Sequence, residues 1–219
     1  MKYYDMHTHS LLPDAGTTAI VNRYWSGSTA GTGWYSAGLH PWYLDSGEMG
    51  DAAQWLEEQA ASPHCVAIGE AGLDRVAGAP WDLQMAAFEI CVACAITLQK
   101  PLILHCVRAF EDILVVKRRL GKSADQIPWI FHGFNKKPDI ARRMLNTGAF
   151  LSFGGALLET PFPAAAALQI CPADRFFLET DDRTDIAIQA IYAASANIRG
   201  ISIEEMGQQL ESNFKRIFL

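Results

Sequence analysis

Short apolar runs and longer stretches of helical periodicity take turns along the chain. Eight runs read as strands: Tyr3–His7, Ala19–Tyr24, Trp34–Gly38, Val66–Gly69, Leu102–His105, Trp129–His132, Phe150–Phe153 and Phe176–Glu179. Most are unbroken rather than alternating, as in parallel strands buried on both faces. Helical spacing fills Ala52–Ala61, Trp81–Gln99, Phe110–Leu120, Lys137–Asn146, Pro163–Ile170, Asp185–Ala196 and Ile203–Phe218. The last carries a capping box, Ser202 with Glu205, and an apolar face of Met206, Leu210, Phe214 and Ile217. This alternation predicts an α/β fold, a (β/α)8 TIM-like barrel. Two intervals are short. About ten residues separate strands one and two, and about ten separate two and three, too few for a crossover with its own helix. The barrel is therefore expected to be trimmed, with one or two helices missing near the N-terminus and that flank covered by loops or another subunit.

The 219 residues fit a single domain over 1–219, and an apolar half suffices for a large core. A net charge of −6 argues against a broadly basic surface that coats nucleic acid. It leaves nucleic acid open as a substrate, because bound metals add positive charge that the sum omits. No secretory segment opens the chain, and no apolar run reads as long enough to span a bilayer. The five cysteines are odd in number, which suits a reduced, cytoplasmic protein. Cys91 and Cys94 have CxxC spacing but fall inside an apolar helix without a second pair, so core packing is expected of them.

The chemistry gathers at strand ends. His7 and His9 close strand one, and period two puts both on one face with Asp5. His40 follows strand three, Glu70 ends strand four, His105 strand five, His132 strand six and Asp181 strand eight. Of six histidines only His64 falls elsewhere. Each alone reads as a buried, hydrogen-bonded residue. Together, four imidazoles and two carboxylates at one barrel mouth call for metal to neutralise the acids and satisfy the nitrogens. Four His, one Glu and one Asp suffice for two divalent ions, with Zn²⁺, Mn²⁺ or Mg²⁺ all compatible.

Asp5-Met6-His7-Thr8-His9, Gly38-Leu39-His40-Pro41, Gly69-Glu70-Ala71-Gly72-Leu73-Asp74, Gln84 with Phe88, and Lys100-Pro101-Leu102-Ile103-Leu104-His105 occur in that order. Phe131-His132-Gly133-Phe134, Leu151-Ser152-Phe153, Glu179-Thr180-Asp181 and Asn213-Phe214-Lys215-Arg216-Ile217-Phe218 complete the series. The sequence resembles the TatD family of metal-dependent deoxyribonucleases, among the amidohydrolase-like barrels. The resemblance implies a (β/α)8-like fold and hydrolysis of DNA phosphodiesters, 3′–5′ exonucleolytic cleavage included. It implies one metal on His7, His9 and Asp181, a second on His105 and His132, Glu70 bridging them, and Glu70 and Asp181 as the catalytic carboxylates.

The chain departs from the family pattern where substrate would lie. The family's helix after strand one is lacking. After His105 come Cys106 and Val107, with Arg108 one place beyond the family's arginine. His132-Gly133-Phe134-Asn135-Lys136 replaces His-Cys-Phe-Ser-Gly, and Asp182-Arg183 replaces a small residue and proline. Hydrolase chemistry is thus better supported than DNA as the substrate. His40 and Arg108 are candidate substrate contacts, with Lys136 and Lys137 next to consider. Trp42 could stack on a base or simply cover the barrel mouth. Lys117-Arg118-Arg119 late in a helix suits the macrodipole. His7-Thr8-His9-Ser10 with Asp14 also looks like the start of a PHP phosphoesterase. The alternatives are therefore a hydrolase of a small phosphoester or amide, or a metal-binding protein without turnover.

Overall fold

The computed structural model describes residues 1–11, 16–27, 33–159 and 163–219, so Asp14 lies outside the described residues. Eight strands are ordered β1 to β8 in one sheet, each next to its neighbour in sequence. The strands are β1 (Tyr3–Thr8), β2 (Thr17–Tyr24), β3 (Tyr35–Gly38), β4 (Cys65–Asp74), β5 (Leu102–Val107), β6 (Trp129–Phe131), β7 (Phe150–Phe153) and β8 (Phe176–Leu178). The helices are α1 (Met49–Ala60), α2 (Trp81–Leu98), α3 (Phe110–Leu120), α4 (Pro138–Leu145), α5 (Pro163–Ile170), α6 (Ile188–Arg199) and α7 (Ile203–Phe218). From β3 onward strand and helix alternate, the order of a (β/α)8 barrel. Among the described residues no helix stands between β1 and β2 or between β2 and β3, as the short intervals require.

The chain divides into two compact units, and β2 runs through the division. The first is Met1–Val21 with Ile130–Leu219. Here β1 pairs with β2 from Tyr3↔Thr17 onward, β6 with β7, and β7 with β8, all parallel. A bridge from Thr8 to Asp181 joins β1 to the end of β8. All of β7 and β8 is buried, which is why these strands lack alternation. α7 lays Met206, Leu210, Phe214 and Phe218 into this core, and the capping box at Ser202 and Glu205 starts it. Asn213 in α7 donates to the carbonyls of Ala173 and Phe176, at 2.8 and 3.0 Å, and so fixes the entry into β8.

The second unit is Asn22–Trp129. β3 pairs with β4 and β4 with β5, again parallel. α2 is long and apolar enough to cross a membrane by length and composition, the one exception to the expectation drawn above. Its face of Gln84, Ala87, Phe88, Cys91, Val92 and Ala95 is buried. Burial pushes the Cys91 thiol up to about 12 and the Cys94 thiol up to about 11, so both remain protonated packing groups. α1 has no basic residue in its last turn. Lys100, just before β5, supplies one instead, its Nζ 2.5 Å from the Ala60 carbonyl.

Several boundaries differ from the sequence reading. β4 does not end at Glu70 but runs on to Asp74, because glycines let it bulge and continue. α6 begins at Ile188 rather than Asp185, since Asp185 is held by both Arg183 nitrogens at 2.8 Å. Short 3₁₀ segments at Gly121–Gln126 and Gly155–Leu158 are too brief to leave a periodic trace.

Candidate metal-binding site

In the first unit, β1 carries His7, and His9 follows just past its end. The ladder to β8 then sets their distance from Asp181. The Asp181 N–H donates to the His7 carbonyl and the His9 N–H to the Asp181 carbonyl, both at 2.9 Å. Each imidazole places Nε2 3.5 Å from Asp181 Oδ1. Asp181 adopts a φ of +56°, a left-handed conformation that Asp tolerates better than most residues. The His132 ring lies 4.6 Å from that of His7. One donor atom each from His7, His132 and Asp181 falls within 4.8 Å of the others.

Buried acids stand behind this cluster. Glu179, fully buried, has Oε1 3.4 Å from His132 Nδ1 and accepts the Gly133 N–H at 2.6 Å. A carboxylate behind one ring nitrogen fixes the tautomer and turns the other nitrogen toward a metal. Asp5 accepts from the Thr180 N–H at 3.1 Å and its hydroxyl at 2.6 Å. Burial pushes the Asp5 carboxyl up to about 7, against the opposing pull of the Thr180 bonds.

In the second unit, β4 does the positioning with glycine. Gly69 and Gly72 have φ of +135° and +153°. A Cβ on Gly69 would meet the Ile103 carbonyl oxygen, and one on Gly72 the His105 carbonyl oxygen. Between them the register against β5 shifts, from Ile68↔Leu102 to Ala71↔Leu104. The Gly69–Glu70 peptide is cis. Glu70 lies inside the strand, 2% exposed. Its Oε1 lies 2.6 Å from His105 Nδ1 and 3.1 Å from His40 Nε2. Asn22 grips it twice, accepting the Glu70 N–H at 2.9 Å and reaching Oε2 at 3.4 Å.

His40 Nδ1 accepts the Trp42 backbone N–H at 3.1 Å, which leaves Nε2–H to donate to Glu70. In that tautomer His40 orients Glu70. His105 sits between two acids, with Nε2 3.0 Å from Asp74 Oδ2. A neutral imidazole donates to only one of these oxygens, so the arrangement calls for one more positive group, a proton or a metal ion. His40, Glu70 and His105 each offer a donor atom within 4.8 Å of the others. Burial raises the Asp74 carboxyl, but hydrogen bonds from Trp42, His105 and the Val76 N–H outweigh it and hold the group below its ordinary value. Gln84 clamps the Asp74 backbone, accepting its N–H at 2.9 Å and donating to its carbonyl at 3.1 Å.

The donor chemistry of both clusters fits divalent metal. Each is a mixed imidazole and carboxylate set, backed by carboxylates that fix the imidazoles. Arg108, in a left-handed conformation at φ +54°, is exposed beyond β5, and among the described residues no hydrogen bond or ion pair holds it. Arg183, by contrast, is tied to Asp185. Asn22 had escaped the sequence reading. Its signal was a polar residue set within the apolar run of β2.

Comparison with known proteins gives the family. The family model described as TatD related DNase matches residues 8–219. An uncharacterized metal-dependent hydrolase of Bacillus subtilis, YabD, is 28% identical over 83% of this chain and 75% of its own. The 3′-5′ ssDNA/RNA exonuclease TatD of Cronobacter turicensis is 34% identical over 68% of this chain, and the match spans 56% of that enzyme. In fold, the TatD homolog YjjV of Escherichia coli superposes with a TM-score of 0.80 at 21% identity, covering 99% of this chain and 97% of that one. The match of the family model along nearly the whole sequence makes the chain a member of the TatD-related DNase family, a metal-dependent hydrolase of (β/α)8 fold.

Proposed function

We propose that residues 1–219 form a single hydrolase domain that removes nucleotides from the 3′ end of single-stranded nucleic acid, with two divalent ions. The observation that carries the reading is the paired support of the histidines: Asp74 behind His105 and Glu179 behind His132, within a chain of this family. In this proposal His7, His9 and Asp181 hold one ion. The family pattern assigns the other to His105 and His132, with Glu70 shared between the two. Such ions supply activation of the attacking water and stabilisation of charge on the phosphoryl oxygens. Glu70 and Asp181 hold the ligand sets in place, and His40 keeps Glu70 oriented. Arg108, unengaged beyond β5, is positioned to meet a phosphate. The exonuclease named among the relatives supports the choice of substrate. A reducing, cytoplasmic setting suits the free cysteines.

A second reading, a small phosphoester as substrate, is favoured by one observation. Arg183, where the family has proline, is neutralised by Asp185 and adds no free charge to hold a strand. Hydrolysis of a 5′-labelled single-stranded oligonucleotide with Mg²⁺, Mn²⁺ or Zn²⁺ separates the two, with Glu70→Ala as the blank. Metal-dependent shortening absent from the blank is expected. A protein that holds metal, cuts no oligonucleotide and hydrolyses a small phosphomonoester would replace the nuclease reading with the second.

A further inference from the structure

Aromatic rings crowd the end of β2 and the loop after β3. Trp42 is 58% exposed and Tyr43 40%. Neither hangs loose. The Trp42 indole N–H donates to the buried Asp74 at 2.7 Å, and its ring stands edge-on to His40 and His105, at 5.2 and 5.7 Å. Tyr43 lies on Tyr24 with ring centroids 4.4 Å apart and planes 19° from parallel. It also leans on His40 at 5.2 Å, and its N–H donates to the His40 carbonyl at 3.1 Å. Behind Tyr24 the chain passes at Gly27, where a Cβ would come within 2.7 Å of the ring.

Three rings are thus fixed before any ligand arrives, beside Glu70 and His105. The one polar atom of the indole is spent inward, so what Trp42 presents to water is π surface. Leaving such faces exposed forgoes the burial that would stabilise the fold. A planar aromatic ligand would recover it, and pre-set rings bind such a ligand with little loss of entropy.

We propose that Trp42 and Tyr43, with Tyr24 behind, form a stacking shelf for an unpaired nucleobase of the nucleotide being removed. The proposal rests on the nuclease reading above and deepens it. Bases in a duplex already have both faces stacked, so the shelf takes strand ends and single strands. Stacking reads no base edge, so little base preference is expected. The competing role for Trp42 is to hold Asp74 and through it His105. That role alone would slow every substrate alike.

The test compares kcat/KM for two oligonucleotides that differ only at the 3′ terminus, one normal and one abasic. Base–aromatic stacking is worth roughly tenfold, so the unsubstituted protein should favour the normal end by about that factor, chiefly through KM. Tyr43→Leu and Trp42→Leu should bring the ratio toward one. Tyr43→Phe should keep it. Trp42→Phe should keep the ratio while lowering kcat on both substrates, because the ring stays and the bond to Asp74 goes. If the unsubstituted protein cuts both strands and neither leucine variant alters the ratio, the shelf is overturned and the nuclease reading stands. If it cuts neither strand with any of the three metals, the nuclease reading fails and takes the shelf with it.

Discussion

The two histidine–carboxylate clusters are built by different means. The one around His7, His9 and Asp181 rests on backbone pairing: β1 shifts register against β2 between Asp5 and Thr8, and a two-bond ladder sets Asp181 beside both histidines. Its carboxylate is a third exposed. The cluster around Glu70 and His105 uses irregular geometry. β4 bulges, two glycines take positive φ, and Asn22, His40, Trp42 and Gln84 come from three other segments to hold two buried acids. A site fixed by a backbone ladder asks little of the side chains around it. A site made from a bulge depends on everything that enforces the bulge.

This contrast can be broken at several points. The largest effects belong to the carboxylates. Asp181→Asn should leave the fold intact, with an unchanged thermal midpoint, and lower turnover by about a thousandfold, near 4 kcal/mol. Glu70→Ala should lose as much and also weaken metal binding in a titration, so retained activity would remove Glu70 from the site. Next comes Gly72→Ala. It sets a methyl group against the His105 carbonyl at a φ that alanine resists, and should cost about 3 kcal/mol in urea unfolding. No single backbone substitution on β1 should cost the first cluster as much. Asp74→Asn should lower metal affinity by about 10- to 100-fold while the fold persists, because it removes the negative charge behind His105.

A pH dependence is also expected. Asp5 has its folded value raised to about 7 from a usual 3.8, so the folded state binds the extra proton between those values. Its contribution is present below about 4 and fades as pH rises to about 7. In metal-free protein, Asp5→Asn should therefore gain stability relative to the unsubstituted chain across that window. A difference flat with pH would show that Asp5 is not the group responsible.

The same contrast explains what the sequence made legible. His7 and His9 stand two apart after an apolar run, and Asp181 follows another, so simple periodicity found them. Glu70 was also found, but as the end of a strand, because glycine and charge in Gly69-Glu70-Ala71-Gly72 normally mark a terminus. Only coordinates show β4 carrying on to Asp74. Asn22 and Trp42 were harder. Their partners are distant in the chain, and a polar residue in β2 or an aromatic in a loop announces no partner. Departures after His132 and Asp181 were plain in sequence, yet the pairing of Arg183 with Asp185 was not.

The bond from Thr180 to Asp5 spans 175 positions, and the unit that contains it takes in both ends of the chain. During synthesis, β1 must wait for every segment through β8 before the two can pair. Contacts of such long range form late. A growing chain therefore carries its His7–His9 pair without the aspartate until β8 has been made, and fragments from translation interrupted before β8 lack the means to become a hydrolase.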